Sequence, residues 1–473
     1  MLLSEKHQIA LEDSSFLEKH KNEMLDKIQQ DTTGSCWHVQ SLIPKIDKEF
    51  SKLQNLSYEQ KKSLPFFGMT VGMKDLFCVQ NTLTTAGSSI LENFISPYDS
   101  HVWSVLSQKG ALFGGKLAMD EFAMGSFSNT SKFGRVSIPL HPEHTAGGSS
   151  GGSASALAQD IFDFTVGSDT GGSVRLPASF CSVVGYKPSY GAFSRYGMIS
   201  YASSLDQAGF FTKNLQDLDY ILQQNIALEK SLDSTHKGLK SYQVSPKKTF
   251  KIGFFPHLLQ EEGIQDSVKK AYDNTLSSLK SPNIELIPIH IPLMDKAAQI
   301  YYIIACSEAS SNLARYQGIY FGEPLVQEKN IGSFWEQIAK YRGKYFGREV
   351  QKRIMLGSFI LSSENFDAMY KKALILRNLL TQQLENALQS LDILVLPVSP
   401  MSSPKWTDID NMTDSQIYMS DYLTVPFSLA GLPALSTPDY HDEQGLGIGI
   451  QWVGKKMQDY QLIHDVMQLK EIK

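Results

Sequence analysis

The sequence predicts an α/β protein: one large mixed β-sheet covered by helices on both faces. Short apolar runs of strand length alternate with longer helical stretches along most of the 473 residues. Two glycine- and serine-rich clusters, "TAGGSSGGSASALA" and "GSDTGGSVRLPASF", each fall at the end of such an element. No composition shift or linker divides the chain, although length alone would suggest two or three domains.

Residues 5–60 read as polar, amphipathic helix with breaks, so residues 1–65 are expected to form a helical outer layer of the domain that occupies 66–473. "FFGMTVGMKDLF" (66–77) reads as a buried strand ending near Lys74. "SHVWSVLSQKG" (100–110) is a helix stopped by Gly110, and "ALFGGKLAMDEF" (111–122) is the next strand with its exit loop. After the first cluster, 153–159 suits a helix and 161–167 a strand. Further strands are expected at 251–256, 283–291, 392–400 and 446–454, with helices near 265–279, 296–317 and 364–390.

Composition narrows the function. Hydrophobic residues make up 42% and charged residues 20% of the chain, which is globular rather than disordered. The formal charge of −5 disfavours a stand-alone nucleic-acid binder. Cys36, Cys78, Cys181 and Cys306 show no zinc-ligand spacing and read as reduced, buried thiols. No signal peptide or membrane-length apolar run is present, so a cytoplasmic protein is expected.

The clusters admit several readings. A phosphate cradle needs a P-loop lysine or a G-x-G-x-x-G, and neither is present. Gly147 to Gly151 formally match the nucleophile elbow G-x-S-x-G, but "RVSIPLHPEHTA" is a poor strand and His441 and His464 stand in unremarkable settings. Capped tight turns would explain one cluster better than two. A serine nucleophile relayed through a second serine to a buried, neutral lysine would use both. Lys74 suits that base, although a lysine beside Asp75 is more commonly a solvated pair.

Together, "GMTVGMKDLF", "TAGGSSGGSASALA" and "GSDTGGSVRLPASFCSVVGYKP" resemble the amidase signature family. The resemblance implies that family's fold, with Ser173 as nucleophile, Ser149 as bridging serine after a cis peptide, and Lys74 as base. The backbone N–H groups of Thr170, Gly171, Gly172 and Ser173 would face the developing oxyanion, where one well-placed donor is typically worth about 3 kcal/mol. Asp169 and Arg175 would hold the loop rather than react.

Within the family, "SEASSNLARYQG" (307–318), "KRIMLGSFILSS" (352–363), "SSLDQAGFFTKN" (203–214) and "SDYLTVPFSLAGLPALS" (420–436) resemble the glutaminase subunits of tRNA-dependent amidotransferases. That implies a glutaminase supplying ammonia to Glu-tRNA(Gln) or Asp-tRNA(Asn) inside a heterotrimer with the amidotransferase's B and C subunits. ATP and magnesium would be used by the kinase-like B subunit, with no metal in this chain. Arg353 would clamp the α-carboxylate of glutamine and Asp421 its α-ammonium. By pattern alone, Arg353 beside Lys352 would instead belong to a solvated basic face. Other expectations to weigh are a free-standing amidase for another primary amide and a non-catalytic scaffold. "QGIYFG" (317–322), the approach at 136–146 and the first 65 residues depart from the family pattern but leave Lys74, Ser149 and Ser173 untouched.

Overall fold

The computed structural model describes residues 1–228, 230–325 and 333–471. The strands are β1 (Cys36–Trp37), β2 (Thr70–Lys74), β3 (Leu112–Leu117), β4 (Ser137–Ile138), β5 (His141–Thr145), β6 (Phe164–Asp169) and β7 (Val184–Lys187). They continue as β8 (Gln207–Thr212), β9 (Phe250–Phe254), β10 (Ile284–Pro288), β11 (Ile393–Pro397), β12 (Ala434–His441) and β13 (Gly447–Val453). Eleven of these form one sheet in the order β1-β3-β2-β6-β8-β7-β12-β13-β11-β9-β10. β2 runs parallel to both β3 and β6, whereas β8, β7, β12 and β13 pair antiparallel, so the sheet is mixed. Every residue of β2, β3, β6, β7, β8, β11 and β13 is buried, the pattern of strands covered on both faces. The α/β expectation is met.

The boundaries differ from expectation for local reasons. The strand expected over 66–77 is only Thr70–Lys74, because Phe66 to Met69 make a hydrogen-bonded turn. The strand after Gly110 stops at Leu117, before the turn that carries Glu121. The helix near 296–317 ends at Asn312, and the one near 364–390 begins with a π-helical turn at Phe366–Lys371. β1, β7, β8 and β12 carry no sequence signal strong enough to predict them: "VGYK" and "QAGFFT" are short and become strands because neighbours pair with them.

The polar start of the chain forms helices Leu3–Glu12, Phe16–Gln29, Val39–Gln54 and Tyr58–Lys62. Leu3, Leu17, Met24, Ile46 and Phe50 join the same apolar core as the sheet. Buried Asp163 fastens this layer by accepting from Lys6, from His20 at 2.9 Å and from the Thr70 N–H at 2.7 Å. Its carboxyl is held well below the usual range by His20 and Lys6, against the opposing effect of burial. Among the described residues no helix is long and apolar enough to cross a membrane.

Candidate active site

Parallel neighbours place their C-terminal ends side by side, and β2 and β6 end at Lys74 and Asp169. Lys74 is fully buried. Its Nζ lies 2.7 Å from Ser149 Oγ, 2.9 Å from Ser150 Oγ and 2.9 Å from Ser168 Oγ. Burial pulls its pKa down to about 7, against the opposing fields of Asp120, Asp169 and Asp206. Lys74 is therefore not the solvated partner of Asp75. Successive residues at a strand end point to opposite sides, and Asp75 turns to Lys116 at 3.1 Å and to the Thr85 N–H at 2.9 Å.

The first cluster arrives from the separate β4–β5 hairpin, not from a strand of the main sheet, so no nucleophile elbow forms at Ser149. The Gly148–Ser149 peptide is cis. Glycine is required at 148, since a Cβ there would lie 2.1 Å from Asp120 Oδ2. That buried carboxylate accepts from the N–H groups of Ser128, Asn129 and Thr130 at 2.9–3.0 Å, while the Asp120 N–H donates to the Ser149 carbonyl at 3.2 Å. Ser150 then leads into helix Gly151–Ala158. Neither histidine takes part: His441 Nε2 sits 3.1 Å from Ser182 Oγ, and His464 lies in the final helix.

The second cluster forms the turn between β6 and helix Arg175–Phe180. Arg175 grips Asp169 with Nε and Nη2, both at 2.9 Å, and donates to the Thr424 carbonyl, Gln451 and Ser428. These two residues hold the loop. Thr170 Oγ1 donates to Asp206 at 2.8 Å, and Thr424 Oγ1 donates to the Gly171 carbonyl at 2.5 Å. Gly172 adopts φ +151°, and a Cβ there would meet Thr424 Oγ1 at 2.4 Å. The two clusters join where the Ser150 N–H donates to the Ser173 carbonyl at 3.2 Å. Among the described residues, the N–H groups of Gly171, Gly172 and Ser173 meet no protein acceptor, and the Ser173 side chain is half-buried.

Arg353 and Asp421 come to the same region from distant parts of the chain. Arg353, on helix Arg348–Ile360, is 4% exposed, which overturns the solvated basic face. Its Nε donates to Glu349 at 2.8 Å and its Nη1 to Tyr201 Oη at 2.6 Å. The rings of Tyr201, Tyr302 and Tyr418 surround the guanidinium at 5.3–5.9 Å. Lys352 takes the outer position, reaching Glu349 and Asp414. Asp421 accepts from Ser126 Oγ at 2.7 Å with one oxygen. Its other oxygen, Oδ1, is buried without a hydrogen-bond partner among the described residues, 3.3 Å from where a Cβ on Gly172 would sit. Burial raises this carboxyl to about 7.

Sequence reasoning missed Ser150, Ser168, Asp120, Tyr201 and Glu349. Ser168 is within its reach: parallel pairing of Met73 with Val166 sets Lys74 level with Gly167, the neighbour of Ser168. Glu349 is also within reach, four residues before Arg353 on one helix, whereas Ser150, Asp120 and Tyr201 depend on contacts far apart in the chain.

The profile of the Amidase family matches residues 22–463. The chain belongs to the amidase family. Among its amidase relatives, the A subunit of the glutamyl-tRNA(Gln) amidotransferase of Prochlorococcus marinus (strain MIT 9211) is 41% identical over 408 residues, covering 85% of this chain and 83% of that protein. The protein of the same name from Legionella pneumophila (strain Paris) is 42% identical over 407 residues, covering 84% and 82%. The crystal structure of the corresponding glutamyl-tRNA(Gln) amidotransferase chain from Thermotoga maritima has 30% identity, a TM-score of 0.70, and coverage of 88% and 92%. A structure described only as an amidase superposes with a TM-score of 0.80 at 26% identity, over 100% of this chain and 99% of that one. Among the described residues of this amidase, no group of three or more histidine, cysteine, aspartate or glutamate side chains is placed to hold a metal ion.

Proposed function

We propose that this chain is the glutamine-hydrolysing component of a tRNA-dependent amidotransferase. The observation that carries the reading is one buried guanidinium, Arg353, and one half-buried carboxyl, Asp421, whose Oδ1 is buried and unpaired among the described residues, beside the loop of Ser173. A free amino acid needs both of its α-charges answered in a dry site, and a simple apolar amide needs neither. The similarity to glutamyl-tRNA(Gln) amidotransferase chains at about 40% identity over most of the length supports the same choice.

In this reading, neutral Lys74 withdraws the proton of Ser149 Oγ, which takes the proton of Ser173 Oγ as that oxygen attacks the carboxamide carbon of glutamine. The new C–O bond moves the carbonyl electron pair onto oxygen, where the N–H groups of residues 170–173 stabilise it. Collapse re-forms the carbonyl and breaks the C–N bond, and the relay protonates the departing nitrogen to give ammonia. Water, activated by the same relay, cleaves the γ-glutamyl ester to glutamate. Ammonia then passes to the B subunit, which uses ATP and magnesium to activate the carboxyl group of Glu-tRNA(Gln) or Asp-tRNA(Asn), with the small C subunit completing a cytoplasmic heterotrimer.

The deciding experiment is ammonia release from L-glutamine by the chain co-expressed with candidate B and C subunits, with and without ATP and misacylated tRNA, using Ser173→Ala as the blank. Release that requires Ser173 and rises with tRNA is expected. An assembled, folded complex that hydrolyses simple amides but not glutamine would overturn the assignment in favour of a free-standing type of amidase.

A further inference from the structure

The loop after β3 touches both halves of the site through consecutive residues. Asp120 lies under Gly148 and binds the Ser149 carbonyl through its N–H. Glu121, 3% exposed, faces the other way. One of its carboxylate oxygens accepts from Ser88 Oγ, and the other from the Gly347 N–H at 2.8 Å. Gly347 immediately precedes helix Arg348–Ile360, which carries Glu349 and Arg353. A carboxylate there satisfies an otherwise unpaired N–H and complements the positive end of the helix. The fit has no slack, because a Cβ on Gly347 would lie 2.3 Å from Glu121 Oε2. Phe122 extends the contact, its ring 5.7 Å from Phe346 and 5.1 Å from Tyr316. Thr130 Oγ1 ties the pair together, accepting from the Glu121 N–H at 3.0 Å and donating to Asp120 at 2.9 Å.

We propose that Glu121 is a positioning residue that anchors the start of the Arg353 helix to the Ser149 loop, so that the substrate's carboxylate clamp is held in register with the nucleophile. The inference rests on the glutamine-binding role given to Arg353 above. Without the anchor the helix start can shift while Lys74 and Ser149 keep their own contacts. A displacement of about 1 Å in a binding group can cost on the order of a hundredfold.

The test compares wild type, Glu121→Ala, Glu121→Gln and Gly347→Ala in the assembled complex, after melting curves confirm that each is folded. Gly347→Ala attacks the same contact from the helix side. Two readouts are taken: KM and kcat for glutamine against a primary amide lacking an α-carboxylate, and hydrogen exchange of the amides of residues 347–353. We expect Glu121→Ala and Gly347→Ala to raise KM for glutamine about tenfold or more, with kcat falling less than about threefold, and Glu121→Gln to be intermediate. Exchange at 347–353 should quicken while β2 stays protected. Unchanged KM and exchange, or an equal loss on both substrates, would overturn the proposal. If wild type hydrolyses only the carboxylate-free amide, the glutaminase reading fails by itself, and exchange at 347–353 still decides whether Glu121 holds the helix.

Discussion

Lys74 and Lys187 are both fully buried at strand ends, and burial brings both down to about 7. Their surroundings differ in one respect. Lys74 meets three side-chain hydroxyls, from Ser149, Ser150 and Ser168, whereas Lys187 donates to two backbone carbonyls, of Pro188 and Leu432. A hydroxyl can accept from an ammonium or donate to an amine, so the first nest is satisfied in either protonation state. Carbonyls only accept, so a neutral Lys187 could still donate to both of them, but its lone pair would meet no donor in the interior. Burial lowers a lysine's pKa, but proton transfer also needs partners that work in both directions.

The sharpest way to break this comparison is to remove each lysine. Lys74→Ala and Ser173→Ala should each lower amide turnover by about 10⁴-fold, as loss of a triad member does in serine hydrolases. Lys187→Met should lower the melting temperature and keep turnover within about tenfold. A folded Lys187→Met as inactive as Lys74→Ala would dissolve the distinction. The carboxylate clamp gives the next largest effect: Arg353→Lys keeps the charge but loses the fork held by Glu349 and Tyr201, so KM for glutamine should rise about 10- to 100-fold, more than kcat falls.

Acidity sharpens the comparison further. Only neutral Lys74 can accept a proton, so kcat/KM should fall about tenfold per unit as pH drops below 7. Asp421, raised to about 7, must be ionised to hold an ammonium, which steepens the fall beyond that of Lys74 alone, so the kcat/KM limb should be shallower in Asp421→Asn than in wild type. Stability follows the same sign. Folded Lys74 gives up its proton near 7 and the unfolded side chain near 10.5, so the unfolded state binds more protons in between and stability rises with pH across that window. Lys74→Met should flatten that rise. The smallest effect is expected of Ser168→Ala, which leaves Lys74 two hydroxyls and should lower kcat about 3- to 10-fold with the pH limb shifted.

The sequence by itself determined the α/β class and the elements whose signal is local. β11 is a continuous apolar run, and β2, β3 and β6 are short, mainly apolar and glycine segments with a few polar residues, which is enough signal for a strand buried on both faces. It also carried the glycine–serine clusters on which the family resemblance rests, and that resemblance names the candidates Lys74, Ser149 and Ser173; the clusters are legible because unusual backbone shapes leave glycines as their mark, as at Gly148 and Gly172. Only the tertiary structure decided that Arg353 is buried while Lys352 is not, that Asp75 belongs to Lys116, and that Asp120 and Glu121 face opposite halves of the site. β7, β8 and β12 became strands through pairing across the sheet. The physical reason is the range of the interactions: local patterning sets which segment extends or coils, while burial, charge partnership and the order of eleven strands arise from contacts between residues tens to hundreds of positions apart.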